Sequence, residues 1–213
     1  ETTPKMMELL ERVKEIAKGA ALMTQTKVKT KILAGVSNLL YNETLGNIMQ
    51  GNLDELGAPE FSKEEHLYAK KYQDTLTRKD IESAYSHAGI DLVEGQVLAE
   101  TVVAGDVKPV DMGGSTDVAD VSWVVPTVSL WGANYAIGTP FHSWQMTAQG
   151  KSSIAIKGMT HAAMVMAATG SDLILNKTNL DDAWSEHNKT IEKEGYVLPI
   201  SLSASPPIKD MAP

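Results

Sequence analysis

The chain has 213 residues, a formal charge of −8, 43% hydrophobic content and no cysteine. That excludes a disulfide framework and a thiolate metal cage, and the sequence has neither the roughly 18 uninterrupted apolar residues of a membrane span nor the Lys/Arg surplus that nucleic acid or an anionic membrane requires. It reads as a cytoplasmic protein of one core plus an appendage, in which any metal is held by His, Asp or Glu.

The opening residues, Glu1-Thr2-Thr3-Pro4, contain no Met and lead directly into a helix, so Glu1 reads as an internal position of a longer protein. Thr3 is a capping residue with Pro4 in the first turn. Met6, Leu9, Val13, Ile16, Ala20 and Met23 then share one face, which predicts an amphipathic helix over 3–23. From Lys27 the period becomes two. Val28, Thr30, Ile32, Ala34 and Val36 alternate with Lys27, Lys29 and Lys31, the pattern of a strand with one wet face. Helix and strand look like the last elements of a small α+β domain, with a boundary at Ser37–Asn42.

Asn42 caps a helix striped by Leu45, Ile48, Met49, Leu53 and Leu56 and stopped by Gly57. Ser62 and Glu65 form a capping box that starts a polar helix to about Leu76, and a further helix over Arg78–Ala88 ends at Gly89. Residues 90–110 are poorly patterned, with a short strand or a loop at Val102–Val103. Val121–Leu130 is β-branched around Pro126, which predicts strands flanking a kink or a loop entering one buried strand. Met146–Ala148 reads as a short strand. The apolar helix over 157–175 is expected to bury itself against a sheet, and a weaker helix runs from Asn176 to Trp184. The whole predicts an α/β fold, a mixed β-sheet flanked by helices.

Five histidines are available for chemistry. His66 and His187 sit on polar helices and read as solvated. His87 precedes a helix-ending glycine, where it complements the helix dipole. His161 lies within an apolar helix and reads as a core histidine bonded to a backbone or side-chain partner. His142 differs, because its Gly-Thr-Pro-Phe-His-Ser-Trp loop follows an apolar segment, where α/β enzymes place functional side chains. The residues alone leave its role open. Gly113-Gly114-Ser115-Thr116-Asp117 has two compatible readings, a ligand-facing loop and a helix N-cap. Ser115 lacks the G-x-S-x-G setting of an acyl-enzyme nucleophile. Glu64-Glu65 is explained by the dipole of its capped helix. No H-E-x-x-H or H-x-D occurs, so one good ligand cannot close a metal site that needs three or four.

The segments GGSTDVADVSWVVPT, AIGTPFHSWQ and KGMTHAAMVMAATGSDLI together resemble the C-terminal part of the aminobenzoyl-glutamate utilisation B group. That group belongs to the aminoacylase and glutamate-carboxypeptidase family of di-metal amidohydrolases. GAALMTQTKVKTKILAGVSNLL resembles the end of that family's inserted lid, or dimerisation, domain. The resemblance implies that residues 1–38 close the lid domain and 39–213 belong to a di-zinc peptidase catalytic domain. It further implies two zinc ions (sometimes manganese or cobalt), a small-molecule amide substrate, a homodimer, and attack on the amide carbonyl by a metal-activated water with a glutamate as base. His142 matches the family's last metal ligand. Gly114, Ser115, Thr116 and Asp117 match a loop reading Gly-Ser-Glu-Asp that borders the substrate pocket, with Thr116 in place of the usual glutamate. Asn38, near the lid crossover, is a substrate-side candidate. The general-base glutamate and the other ligands fall upstream of Glu1, so the chain alone is expected to be inactive. Two rivals remain, a non-catalytic domain that keeps the fold for binding or assembly, and one half of a split amidohydrolase. An isolated chain is also expected to leave apolar faces open near Val28–Val36 and on helix 157–175.

Overall fold

A computed structural model describes residues 2–105, 114–202, 204, 205 and 208. Its elements are helical: α1 (Thr3–Met23), α2 (Glu43–Leu56), α3 (Lys63–Gln73), α4 (Arg78–Ala88), α5 (Val118–Ser122), α6 (Trp144–Gln149), α7 (Ser153–Leu175) and α8 (Lys177–Glu194). Gly113 and Asp111 of the glycine-rich stretch, Glu1, and most of the Pro-rich tail lie outside the described residues.

The expected mixed β-sheet is absent: among the described residues there is no strand, and the α/β assignment is corrected to an all-helical one. The reasons are local. Alternation over 27–36 selects a face but supplies no ladder, and no described segment pairs with it. Around Val121 the backbone bonds to itself, Trp123 N–H to Asp120 C=O and Val125 N–H to Val121 C=O, using groups that a strand would need. Met146–Ala148 joins α6 because Ser143 caps it, accepting from the Met146 N–H at 3.2 Å. Val102–Val103 is loop.

The helix signals are realised except at α1, where Thr3, expected to cap, is the first helical residue and the N-cap Thr2 makes no side-chain cap bond. Asn42 Oδ1 accepts from Leu45 N–H at 2.9 Å, and Gly57 ends α2. Both halves of the Ser62/Glu65 capping box form, and α4 adds an unforeseen one from Thr77 and Asp80 before ending at left-handed Gly89. α7 starts earlier than expected because Ser152 caps it, and α8 continues past Trp184 to Glu194.

The chain divides into two compact units. The first comprises Glu1–Tyr41, Gly114–Thr127 and Trp184–Pro213. Three residues of one short stretch tie it to the α5 region: Ser37 Oγ donates to Asp120 at 2.6 Å, Asn38 C=O accepts from Trp123 Nε1 at 2.7 Å, and Leu40 N–H donates to buried Ser122 Oγ at 2.8 Å. Tyr196 OH also donates to Asp120, at 3.1 Å. His187, expected in solvent, is buried instead. Its Nε2 donates to Ser122 C=O at 3.1 Å and its ring stands edge-on to Trp184.

The second unit comprises Asn42–Gly113 and Val128–Ala183. Its core is Ala69, Val97, Leu98, Ala136 and Ile154, edged by Phe61, Tyr68 and Tyr72. α2 and α7 pack antiparallel, because His161 Nε2 donates to Gly57 C=O at 2.6 Å at one end and Asn52 Nδ2 donates to Asp172 at 2.7 Å at the other. The backbone partner expected for His161 is thus present. α7 is not buried against a sheet. Only Ile154, Gly158, Val165 and Thr169 of its residues are buried, while Ile156, Met159, Met164, Met166 and Ile174 are exposed. Val28, Ile32 and Leu33 in the first unit are exposed as well, so both anticipated apolar faces are open. No helix among the described residues is long and apolar enough to cross a membrane.

Candidate functional site

The loop carrying His142 is pinned at both ends. Gln149, the last residue of α6, is buried, and its Oε1 accepts from Ala136 N–H at 2.9 Å. Its Nε2 donates to Thr139 Oγ and to Gln145 C=O, each at 3.1 Å, and Thr139 Oγ donates to Ala136 C=O at 2.7 Å. Ser143 Oγ donates to Pro140 C=O at 2.7 Å while capping α6. Gly138 begins the turn at φ +90°, where an added Cβ would lie 3.0 Å from Ile81 Cα, so only glycine fits there. Between these anchors His142 is exposed and adopts φ +58°, a left-handed conformation that costs a non-glycine residue energy and is found at functional sites. A fixed loop that presents an imidazole to solvent is suited to binding.

The other candidates fall in the first unit, whereas His142 belongs to the second. Gly114, Ser115, Thr116 and Asp117 are exposed. Thr116 Oγ accepts from Val118 N–H at 3.3 Å and its C=O accepts from Ala119 N–H at 3.1 Å, a local turn leading into α5, whose N-cap position falls to Asp117 and not to Ser115 or Thr116. Asp117, at the N-cap position of α5, makes no side-chain cap bond. Asn38 has a structural task. Its Oδ1 accepts from both Thr3 N–H (3.1 Å) and Thr3 Oγ (3.2 Å), serving the first turn of α1, where Thr2 provides no side-chain cap.

His66, expected in solvent, is partnered. Its Nδ1 meets Ser62 C=O at 2.8 Å and its Nε2 meets Glu100 at 3.1 Å. The bond to Ser62 and then the one to Glu100 raise its pKa above the usual histidine value.

A cleft of about 400 Å³ opens where α3 and α7 begin, lined by Ser62, Glu64, Glu65, Tyr68, Ser152, Ser153 and Lys157. Its charges already serve one another. Lys157 Nζ donates to Glu65 at 2.7 Å and to Glu60 C=O at 2.9 Å, and Ser62 N–H donates to Glu65 at 2.7 Å. Burial pushes the Glu65 carboxyl up, but the hydrogen bonds from Lys157, Ser153 and Ser62 outweigh it and hold the pKa at about 2. Because this folded value lies below the ordinary 4.5, the contribution is complete above about pH 4.5 and disappears as pH falls toward 2. Wild type should lose about 2–3 kcal/mol of unfolding free energy over that interval from this group. In urea titrations at pH 5 and pH 3, Glu65→Gln should show a smaller pH dependence, and an equal dependence would refute the assignment.

The described residues do not make a metal centre by themselves. No three His, Asp or Glu side chains among them gather at one point, and His142 offers one imidazole where a site needs three or four ligands. Nothing in the local pattern pointed to Gln149, whose buried amide fixes the His142 loop. The aromatic residues of that loop were nearly as inconspicuous, their only signal being their spacing in a chain with few rings.

No protein-family model and no solved structure matches the chain. The match to a curated protein covers nearly all of this chain but less than half the length of that relative. The resemblance read from the residues is borne out: the chain is 39% identical over 215 residues, 96% of its own length and 45% of the relative's, to a p-aminobenzoyl-glutamate hydrolase subunit of Escherichia coli (strain K12).

Proposed function

We propose that this chain is part of a hydrolase that cleaves the amide bond of an aminobenzoyl-glutamate-type substrate, adding water across the C–N bond to release the aromatic acid and the amino acid. The observation that carries the reading is the 39% identity maintained over 96% of the chain. The relative is named as a subunit, which supports a second polypeptide in the working protein. The rest of the reading follows from the resemblance. Residues 1–38 end a lid domain and 39–213 belong to the catalytic part, the complete protein pairs with itself, and it uses zinc, manganese or cobalt. His142 contributes one ligand, and the other ligands and the glutamate base come from polypeptide beyond these residues. Gly114, Ser115, Thr116 and Asp117 lie on the substrate side. No step is assigned to a metal within this chain, because its described residues do not complete a site.

The test is an assay of the protein carrying this chain, purified with its associated subunits and supplied with zinc or manganese. Release of p-aminobenzoate from p-aminobenzoyl-glutamate is expected, and the 213-residue chain alone should release none. Absence of release from the assembled, metal-loaded protein would overturn the reading. Activity of the chain alone would overturn its dependence on other polypeptide.

A further inference from the structure

Half of the aromatic residues of this chain belong to ring clusters that include the loop carrying His142. The sequence contains four Trp, six Tyr and two Phe. Six of those twelve form two ring clusters in the second unit. Trp131 and Tyr135 lie with ring centroids 5.6 and 6.3 Å from Phe141, and Tyr72 lies 5.0 Å from Tyr68 and 6.2 Å from Trp144. Phe141 immediately precedes His142 and Trp144 follows two residues after it.

Tyr68 and Tyr72 edge the core, but Trp131, Phe141 and Trp144 are not spent on it. Large aromatic side chains bury about 150–250 Å² each and normally dominate the interior. Here the core is built from Ala69, Val97, Leu98, Ala136 and Ile154, while Trp131 is 67% exposed, Trp144 62% and Phe141 47%. The loop bearing Phe141 and leading to Trp144 is already fixed by Gln149, Ser143 and Gly138, so a ligand would meet rings that need little further ordering. Uncharged ring faces and edges are best satisfied by another flat π-system, stacked in offset or met edge-on. The hydrolase reading supplies such a group in its aromatic acyl half.

We propose that Trp131 and Phe141, the latter immediately before His142, form the subsite for the aryl ring of an aroyl-amino-acid amide. This rests on the hydrolase reading and adds to it the residues that choose an aromatic over an aliphatic acyl group.

The experiment compares kcat/KM for p-aminobenzoyl-glutamate and N-acetyl-glutamate in the assembled protein. Phe141→Leu and Trp131→Leu should each lower the ratio of aroyl to acetyl turnover by about tenfold, mainly through KM, and Phe141→Tyr should preserve it. Trp131 is the more exposed of the two, so its variant still reports if Phe141→Leu does not fold. An equal fall on both substrates, or none on either, overturns the subsite. If wild type hydrolyses neither amide, the hydrolase reading fails separately. Calorimetric titration with p-aminobenzoate then decides: saturable binding weakened by Trp131→Leu upholds the subsite, and no binding overturns it.

Discussion

Replacing Gly158 with Ala should destabilise the second unit by about 3 kcal/mol, lowering its melting temperature by roughly 5–10 °C. Gly158 lies in α7 against the chain at 133–134. An added Cβ would stand 2.2 Å from Asn134 Oδ1 and 2.4 Å from Ala133 C=O. Because the second of these is backbone, it cannot swing aside as a flexible side chain could. The clash must move either α7 or the loop, and Ala136 and Ile154, close to these two segments in sequence, belong to the unit's core. Gly170 is an internal control on the same helix, because a Cβ there meets nothing within 4 Å. Gly170→Ala should gain about 0.5–1 kcal/mol from helix propensity. The same substitution at two positions of one helix therefore changes sign, and thermal melts of the two variants measure it. Equal effects would show that the chain does not approach α7 at Gly158.

The parts of the fold that were legible in the sequence are those encoded over one helical turn. Caps at Asn42 and Ser62, stops at Gly57 and Gly89, and the periodic face of α1 depend on residues within four positions of each other. The misread parts depend on partners distant in sequence. The alternating 27–36 segment had a strand's pattern without a partner edge, and Val121 sits among local turn bonds that override its β-branched preference. His187 looked solvated because its neighbours in sequence are polar, yet Ser122, 65 positions away, and Trp184 enclose it. The same logic governs the site. His142 stood out from its loop composition, whereas the side chain that fixes that loop, Gln149, is an ordinary helix residue until Ala136 and Thr139 are seen against it. Asn38, read as a substrate-side candidate, also holds the first turn of α1 through Thr3, a bond across 35 positions that no local pattern announces.

If His142 serves the amide-hydrolysing site, removing its imidazole must abolish turnover without disturbing the fold. The substitution has to respect the backbone, since at φ +58° an Ala would add strain of its own, while Asn tolerates the left-handed region and removes the imidazole. His142 is exposed, and the bonds that hold its loop come from Gln149 and Ser143, so the variant should melt as wild type does. The decisive measurement is p-aminobenzoyl-glutamate hydrolysis by the assembled protein carrying His142→Asn. A fall of about a hundredfold or more at unchanged melting temperature is predicted, the scale on which a disturbed metal site acts; turnover equal to wild type would contradict this role for His142.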